Sequence, residues 1–153
     1  TQEVADTRSD AAQGDITGQY GETKQALKYA QEGKRVEVEP GNGAFDLKIT
    51  DGSSKELVEV KTRLKGKDTD YRYISDKLSQ MERKVNNAKA DTDVDVSDGD
   101  VVLEINTGTK GSDLENIKST ARQAVEDSTG DLAVEKIRLV ADDGSVETIP
   151  VNK

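Results

Sequence analysis

The stretch AFDLKITDGSSKELVEVKTR, residues 44–63, decides the fold. Its first half alternates, with Phe45, Leu47 and Ile49 against Asp46, Lys48 and Thr50; the second half resumes the pattern with Val58 and Val60 against Glu59 and Lys61. A period of two residues belongs to a strand with one buried face. Between the halves, Asp51-Gly52-Ser53-Ser54 is a cluster of turn formers, so the stretch reads as a β-hairpin. With a four-residue loop, Thr50 faces Lys55 and Asp46 falls directly across from Glu59. Phe45 and Leu47 then lie across from Val60 and Val58, sharing the apolar face. Asp46, Glu59 and Lys61 share the other face. Two carboxylates opposed on one sheet face destabilise the pair, and a divalent cation between them reverses the sign of that interaction.

Outward from the hairpin the chain reads as alternating elements. Residues 1–18 are polar and aperiodic and read as a flexible arm or linker, leaving residues 19–153 as one domain. Residues 21–32 read as a helix with Ala26, Leu27 and Ala30 on its inner face and Gly33 as its stop. Val36 and Val38 mark a short strand that ends at Pro40, and Gly41-Asn42-Gly43 is a turn. After the hairpin and a charged loop at 65–70, the apolar residues Ile74, Leu78, Met81, Val85 and Ala88 recur at steps of four and three, the stripe of an amphipathic helix over 71–90. An acidic loop (91–100) leads to an apolar strand of the buried type, 101–105. Ser112-Asp113-Leu114-Glu115 predicts a capping box that opens a helix to about 127, with Leu114, Ile117, Ala121 and Ala124 inward. Strands at 135–140 and 145–151 flank the turn 141–144. The order α-β-β-β-α-β-α-β-β implies an α/β fold with a mixed sheet flanked by helices.

Composition limits the chemistry. The 153 residues have a hydrophobic fraction of 32% and a charged fraction of 35%, enough for one modest core. No run approaches the roughly 18 apolar residues of a membrane span, and the opening residues carry no charged-then-apolar leader pattern. With no Cys, thiol catalysis and cysteine metal sites are excluded; with no His, so are Ser–His–Asp arrangements and histidine acid–base chemistry. Hydrolysis would have to run on carboxylates, Lys, Tyr, Ser or Thr, and carboxylates favour a hard cation such as Mg²⁺. The net charge of −9 is unevenly spread. Residues 55–90 carry ten Lys/Arg and six Asp/Glu, a net of +4, and the remainder carries 12 and 25, a net of −13. The basic block surrounds Glu59 and Lys61, whereas the acidic remainder reads as a salt-adapted or very soluble surface.

Phe45-Asp46, twelve residues, then Glu59-Val60-Lys61, set on a hairpin behind a leading helix, resembles the PD-(D/E)xK nuclease superfamily over residues 21–151. Within it the segments VEVEP, DLKI and VEVKT are most similar to the C-terminal nuclease domains of bacterial polymorphic toxins, such as those of contact-dependent inhibition systems. The resemblance implies a restriction-endonuclease-like fold, Asp46 and Glu59 as ligands of Mg²⁺ or Mn²⁺, Lys61 as the catalytic lysine, and Glu22 as an additional acid. It also implies a DNA or RNA substrate, tRNA among them, a cognate immunity protein as partner, and delivery of a toxin domain into the cytoplasm of a target cell. Phe45 stands in place of the motif's Pro, which is often absent in the family.

The surrounding cations Arg63, Lys65, Lys67, Arg72, Lys77 and Lys84 form a candidate nucleic-acid path, with a solvated helix face as the alternative. Tyr71 and Tyr73 are candidates for base stacking or for packing at a helix start. Asp91, Asp93 and Asp95 begin like a calcium loop, but Val96 and Val102 stand where Gly and Glu belong. Two functions follow: a Mg²⁺-dependent endonuclease, or a non-catalytic acidic module of the same fold, such as an immunity-type nucleic-acid mimic acting in the cytoplasm.

Overall fold

Alternation and helical spacing resolve, in a computed structural model describing residues 10–38, 45–64, 66–89, 99–128 and 131–151, into a mixed α/β fold. Its elements are α1 (Asp10–Gln31), β1 (Arg35–Val38), β2 (Leu47–Asp51), β3 (Ser54–Thr62), α2 (Tyr71–Lys89), β4 (Asp100–Asn106), a 3-10 turn (Gly111–Asp113), α3 (Leu114–Asp127), β5 (Lys136–Val140) and β6 (Val146–Pro150). One six-stranded sheet runs β1-β2-β3-β4-β5-β6. β1–β2 pair antiparallel, short turns make β2–β3 and β5–β6 antiparallel, and α2 and α3 serve as the crossovers that make β3–β4 and β4–β5 parallel. The hairpin register is the expected one through Thr50↔Lys55 and Leu47↔Val58, tightened by an additional Asp51↔Ser54 pair over a turn with Gly52 at φ 63°.

Two apolar layers sandwich the sheet. Ile74, Leu78, Met81 and Val85 of α2 and Leu114, Ile117, Ala121 and Ala124 of α3 pack on Leu57, Leu103, Ile105, Ile137 and Leu139. These are the helix stripes read from spacing. On the opposite face, α1 covers Leu47, Ile49, Val58, Val60 and Val102. Glu82 of α2 accepts hydrogen bonds from the backbone N–H groups of Ala133 (2.9 Å) and Val134 (2.7 Å), fixing the entry to β5.

Four expectations need correction. Phe45 does not share a face with Leu47: it lies before β2 and packs in the α2–α3 layer, because the chain bends as it enters the strand. Helix α1 begins at Asp10, so residues 10–18 belong to it; Gly14 and Gly18 each lower helix stability by about 1 kcal/mol relative to Ala without ending it. Its inner face differs in part: Ala26 packs against the core as expected, but Leu27 is 58% exposed and Ala30 is exposed, and Gly21, Gln25 and Tyr29 are buried instead. Finally, α3 opens through the 3-10 turn with no side-chain cap, so no capping box forms. The turn at 41–43 and the acid series Asp91, Asp93 and Asp95 lie outside the described residues.

The unexpected face of α1 exists for polar reasons. Strand β4, apolar in outline, carries the fully buried Glu104, which accepts hydrogen bonds from the Tyr29 hydroxyl and from Arg138 Nε (2.8 Å). Gln25 donates to Asn106, which in turn donates to Thr62 Oγ1 at 3.0 Å. A buried polar group without such partners is costly, so the helix turns its polar residues, not Leu27, toward the sheet. Close approach then requires glycine at 21, where a Cβ would lie 1.8 Å from Thr62 Oγ1. Gly21→Ala is therefore expected to destabilise the fold by about 1–3 kcal/mol, the usual range for overpacking. Adding Thr62→Ala should recover part of that loss in a denaturation double-mutant cycle.

Candidate active site

The cleft arises where β3 outlasts β2. The last β2–β3 pair is Leu47↔Val58, yet β3 continues for four residues, to Thr62. Asp46 does not continue the ladder opposite Glu59 as the simple register required. Its N–H bends onto the Val58 carbonyl (3.0 Å), and its side chain takes over the next position by accepting the Val60 N–H at 2.7 Å. A carboxylate thus stands in for the missing strand. Glu59 and Lys61 project from β3 toward α2, and Glu22 reaches in from α1. Together they line a cleft of about 560 Å³ whose other walls include Thr62, Arg63, Tyr73 and Lys77.

The three acids meet despite the altered register. Glu22 and Glu59 line the cleft with Asp46, and both act on the titration of its carboxyl. Burial pushes the Asp46 pKa up; the Val60 N–H opposes this, and the Glu22 carboxyl reinforces it. Glu59 is 4% exposed, and burial and then the Asp46 charge push it up, opposed by Lys84 and Lys61. Asp46 and Glu59 each hold a proton more tightly than in water, first because burial disfavours the ionised form and then because a neighbour is also an acid.

Cations hold the other half of the cleft. Lys84 Nζ lies 2.9 Å from both oxygens of Glu59, and Lys61 Nζ lies 3.4 Å from Oε2. Farther along, the Arg63 guanidinium covers the Tyr73 ring at 4.3 Å, and Lys77 Nζ sits 5.3 Å from the same ring. Burial lowers the Lys77 pKa, and Lys61 and Arg63 lower it further. Burial pushes the Tyr73 hydroxyl up to about 12, so the ring stays neutral beneath its cations. A negative end and a positive end therefore adjoin within one cleft.

No protein-family model, no curated protein and no solved structure matches this chain. The site must be judged on its own geometry.

Asp46, Glu59, Lys61 and Glu22 are brought together, as are Arg63 and Lys77 of the cation series. Lys67 and Arg72 are exposed and do not line the cleft, and Lys65 lies outside the described residues. Lys84, grouped by sequence with the phosphate path, instead grips Glu59. Its spacing held the clue: Lys77 and Lys84 are seven residues apart, each just before a core residue of the α2 stripe, so they share one flank of the helix. Tyr71 donates to Asp127 at 2.7 Å, outside the cleft, and Tyr73 is half-buried in its wall beneath Arg63. Among the described residues, no group of three or more acids is gathered tightly enough to hold a metal ion as the side chains stand. The donor chemistry still fits Mg²⁺, which is commonly held by one or two carboxylates with water and substrate phosphate completing the shell. Among the described residues, no helix is long and apolar enough to cross a membrane.

The raised Asp46 pKa has a testable sign. In the metal-free protein this carboxyl binds its proton more tightly folded than unfolded, so its contribution to stability falls as pH rises through and above the ordinary Asp range, near 3.9. Asp46→Asn keeps an acceptor for the Val60 N–H but cannot ionise. The variant should melt higher than the parent at pH 7, and thermal scans should show the gap closing toward pH 3.

Proposed function

We propose that this chain is a metal-dependent nuclease of the restriction-endonuclease-like type. The observation that supports the reading is the convergence of Asp46, Glu59 and Lys61, with Glu22, in a cleft whose continuation is lined by Arg63 and Lys77. Chain-wide acidity argues against a polyanionic ligand; local charge argues for one precisely where the acids need a substrate phosphate beside them. Asp46 and Glu59, with Glu22 behind them, would hold the cation. When bound, a divalent cation supplies Lewis-acid polarisation of a phosphoryl oxygen and an acidified water. Lys61, 28% exposed at its side chain and tied to Glu59, is positioned to orient the attacking water or to stabilise charge developing on the phosphate. Arg63 and Lys77 are suited to hold flanking phosphates. The toxin character and an immunity partner belong to the same proposal and rest on the likeness of the VEVEP, DLKI and VEVKT segments alone.

The test uses plasmid DNA and total RNA incubated with the full chain. Cleavage is expected with Mg²⁺ or Mn²⁺, and it should stop with chelator. Glu59→Ala and Lys61→Ala should each slow cleavage by about 10²-fold or more, the scale of losing a group that stabilises transition-state charge. Lys77→Ala should chiefly raise KM and flatten its salt dependence, since a phosphate contact is lost. Nucleic acid left intact under every metal condition would overturn the proposal in favour of an acidic binding module.

A further inference from the structure

Glu59 already has a cation. Its carboxylate is almost wholly buried, and the Lys84 ammonium bridges both oxygens at 2.9 Å each. Lys61 adds a longer contact, 3.4 Å, on Oε2 alone. On the Asp46 side, Oδ2 is committed to the Val60 N–H. A divalent cation held by Asp46 and Glu59 would compete with Lys84 for a Glu59 oxygen. Two cations cannot share that oxygen cheaply, because at about 4 Å the repulsion between even unit charges is several kT near a protein surface.

We infer that Lys84 is the resident counter-ion of Glu59, displaced when a divalent cation binds, and so a positioning residue that sets the metal affinity of the cleft. The inference rests on the nuclease reading and adds to it a competitor built into the fold. Its side chain is 34% exposed, so the ammonium can leave Glu59 for water. The helix that carries it need not move: Ile74, Leu78, Met81 and Val85 of α2 are all essentially fully buried and hold it to the sheet. In the absence of metal, Lys84 offsets the charge of an acid held beside Asp46. In its presence, the ammonium would be released toward solvent, which its partial exposure allows.

A purely structural ion pair between α2 and β3 makes the opposite prediction, because loosening the site would weaken metal binding. Calorimetric titration of Mn²⁺ into the metal-free full chain separates the two. Lys84→Met keeps the apolar stem and removes the charge; it should bind Mn²⁺ about tenfold tighter, equivalent to about 1.4 kcal/mol. Its metal-free Tm should fall, and added Mn²⁺ should raise that Tm more than it raises the parent's. Lys84→Gln should shift the affinity in the same direction, which keeps the test valid if the Met variant folds poorly. Lys84→Arg, retaining the charge, and Lys118→Met, removing a cation paired with the distant Glu147, should bind as the parent does. Unchanged or weaker binding by the Met and Gln variants, in a parent that binds Mn²⁺ and cleaves nucleic acid, would overturn the role of Lys84 while leaving the nuclease reading intact. No Mn²⁺ binding by parent or variants, with no cleavage, would overturn both.

Discussion

Like charges forced together in a half-buried cleft are the constraint on which this structure turns. Asp46 and Glu59 sit against each other, with Glu22 on the far side of Asp46, and burial makes their ionised forms costly. Isolated, such a group would be a defect. The fold tolerates it through Lys84 and Lys61 on Glu59 and the Val60 N–H on Asp46. Each of these partners offsets charge, yet none removes the repulsion between the acids. The cation proposed for this site would offset that repulsion.

The backbone creates the condition by ending one ladder early. Because β2 stops pairing at Leu47, the continuing edge of β3 presents the Val60 N–H to a side chain rather than to a strand. The same opening lets α1 and α2 approach from opposite faces of the sheet and contribute Glu22 on one side and Tyr73 and Lys77 on the other. Glycine at 21 permits the approach of α1, and the chain of hydrogen bonds from Gln25 through Asn106 to Thr62 holds it there. Cleft and fold are thus one arrangement: the polar contacts that seat α1 also fix the wall from which Glu22 projects.

Much of this was legible in the sequence, for identifiable reasons. Period-two alternation set the hairpin register, and the spacing from Ile74 to Ala88 set the buried stripe of α2, since both follow from backbone geometry alone. The meeting of Asp46, Glu59 and Lys61 was legible through that register, although the route differs: Asp46 arrives by a bend and a side-chain hydrogen bond. What escaped were features decided by tertiary partners. Leu27 lost the inner face of α1 to Gln25 and Tyr29 because buried acceptors on β4 demanded donors, and nothing in the helix sequence announces a buried Glu104. Lys84 looked like one cation among many because the acid it pairs with is distant in the chain and adjacent only in the folded sheet.

The central claim is that the clustered carboxylates form a cation site, and locating the ion tests it most directly. Crystals grown with Mn²⁺ and measured at a wavelength where manganese scatters anomalously should give a difference peak within bonding distance of both Asp46 and Glu59, about 2.1–2.2 Å from each coordinating oxygen, close to Mg²⁺ geometry. A protein that cleaves nucleic acid with Mn²⁺ but shows its anomalous peak elsewhere, with Asp46 and Glu59 still bound only to their protein partners, would contradict the account.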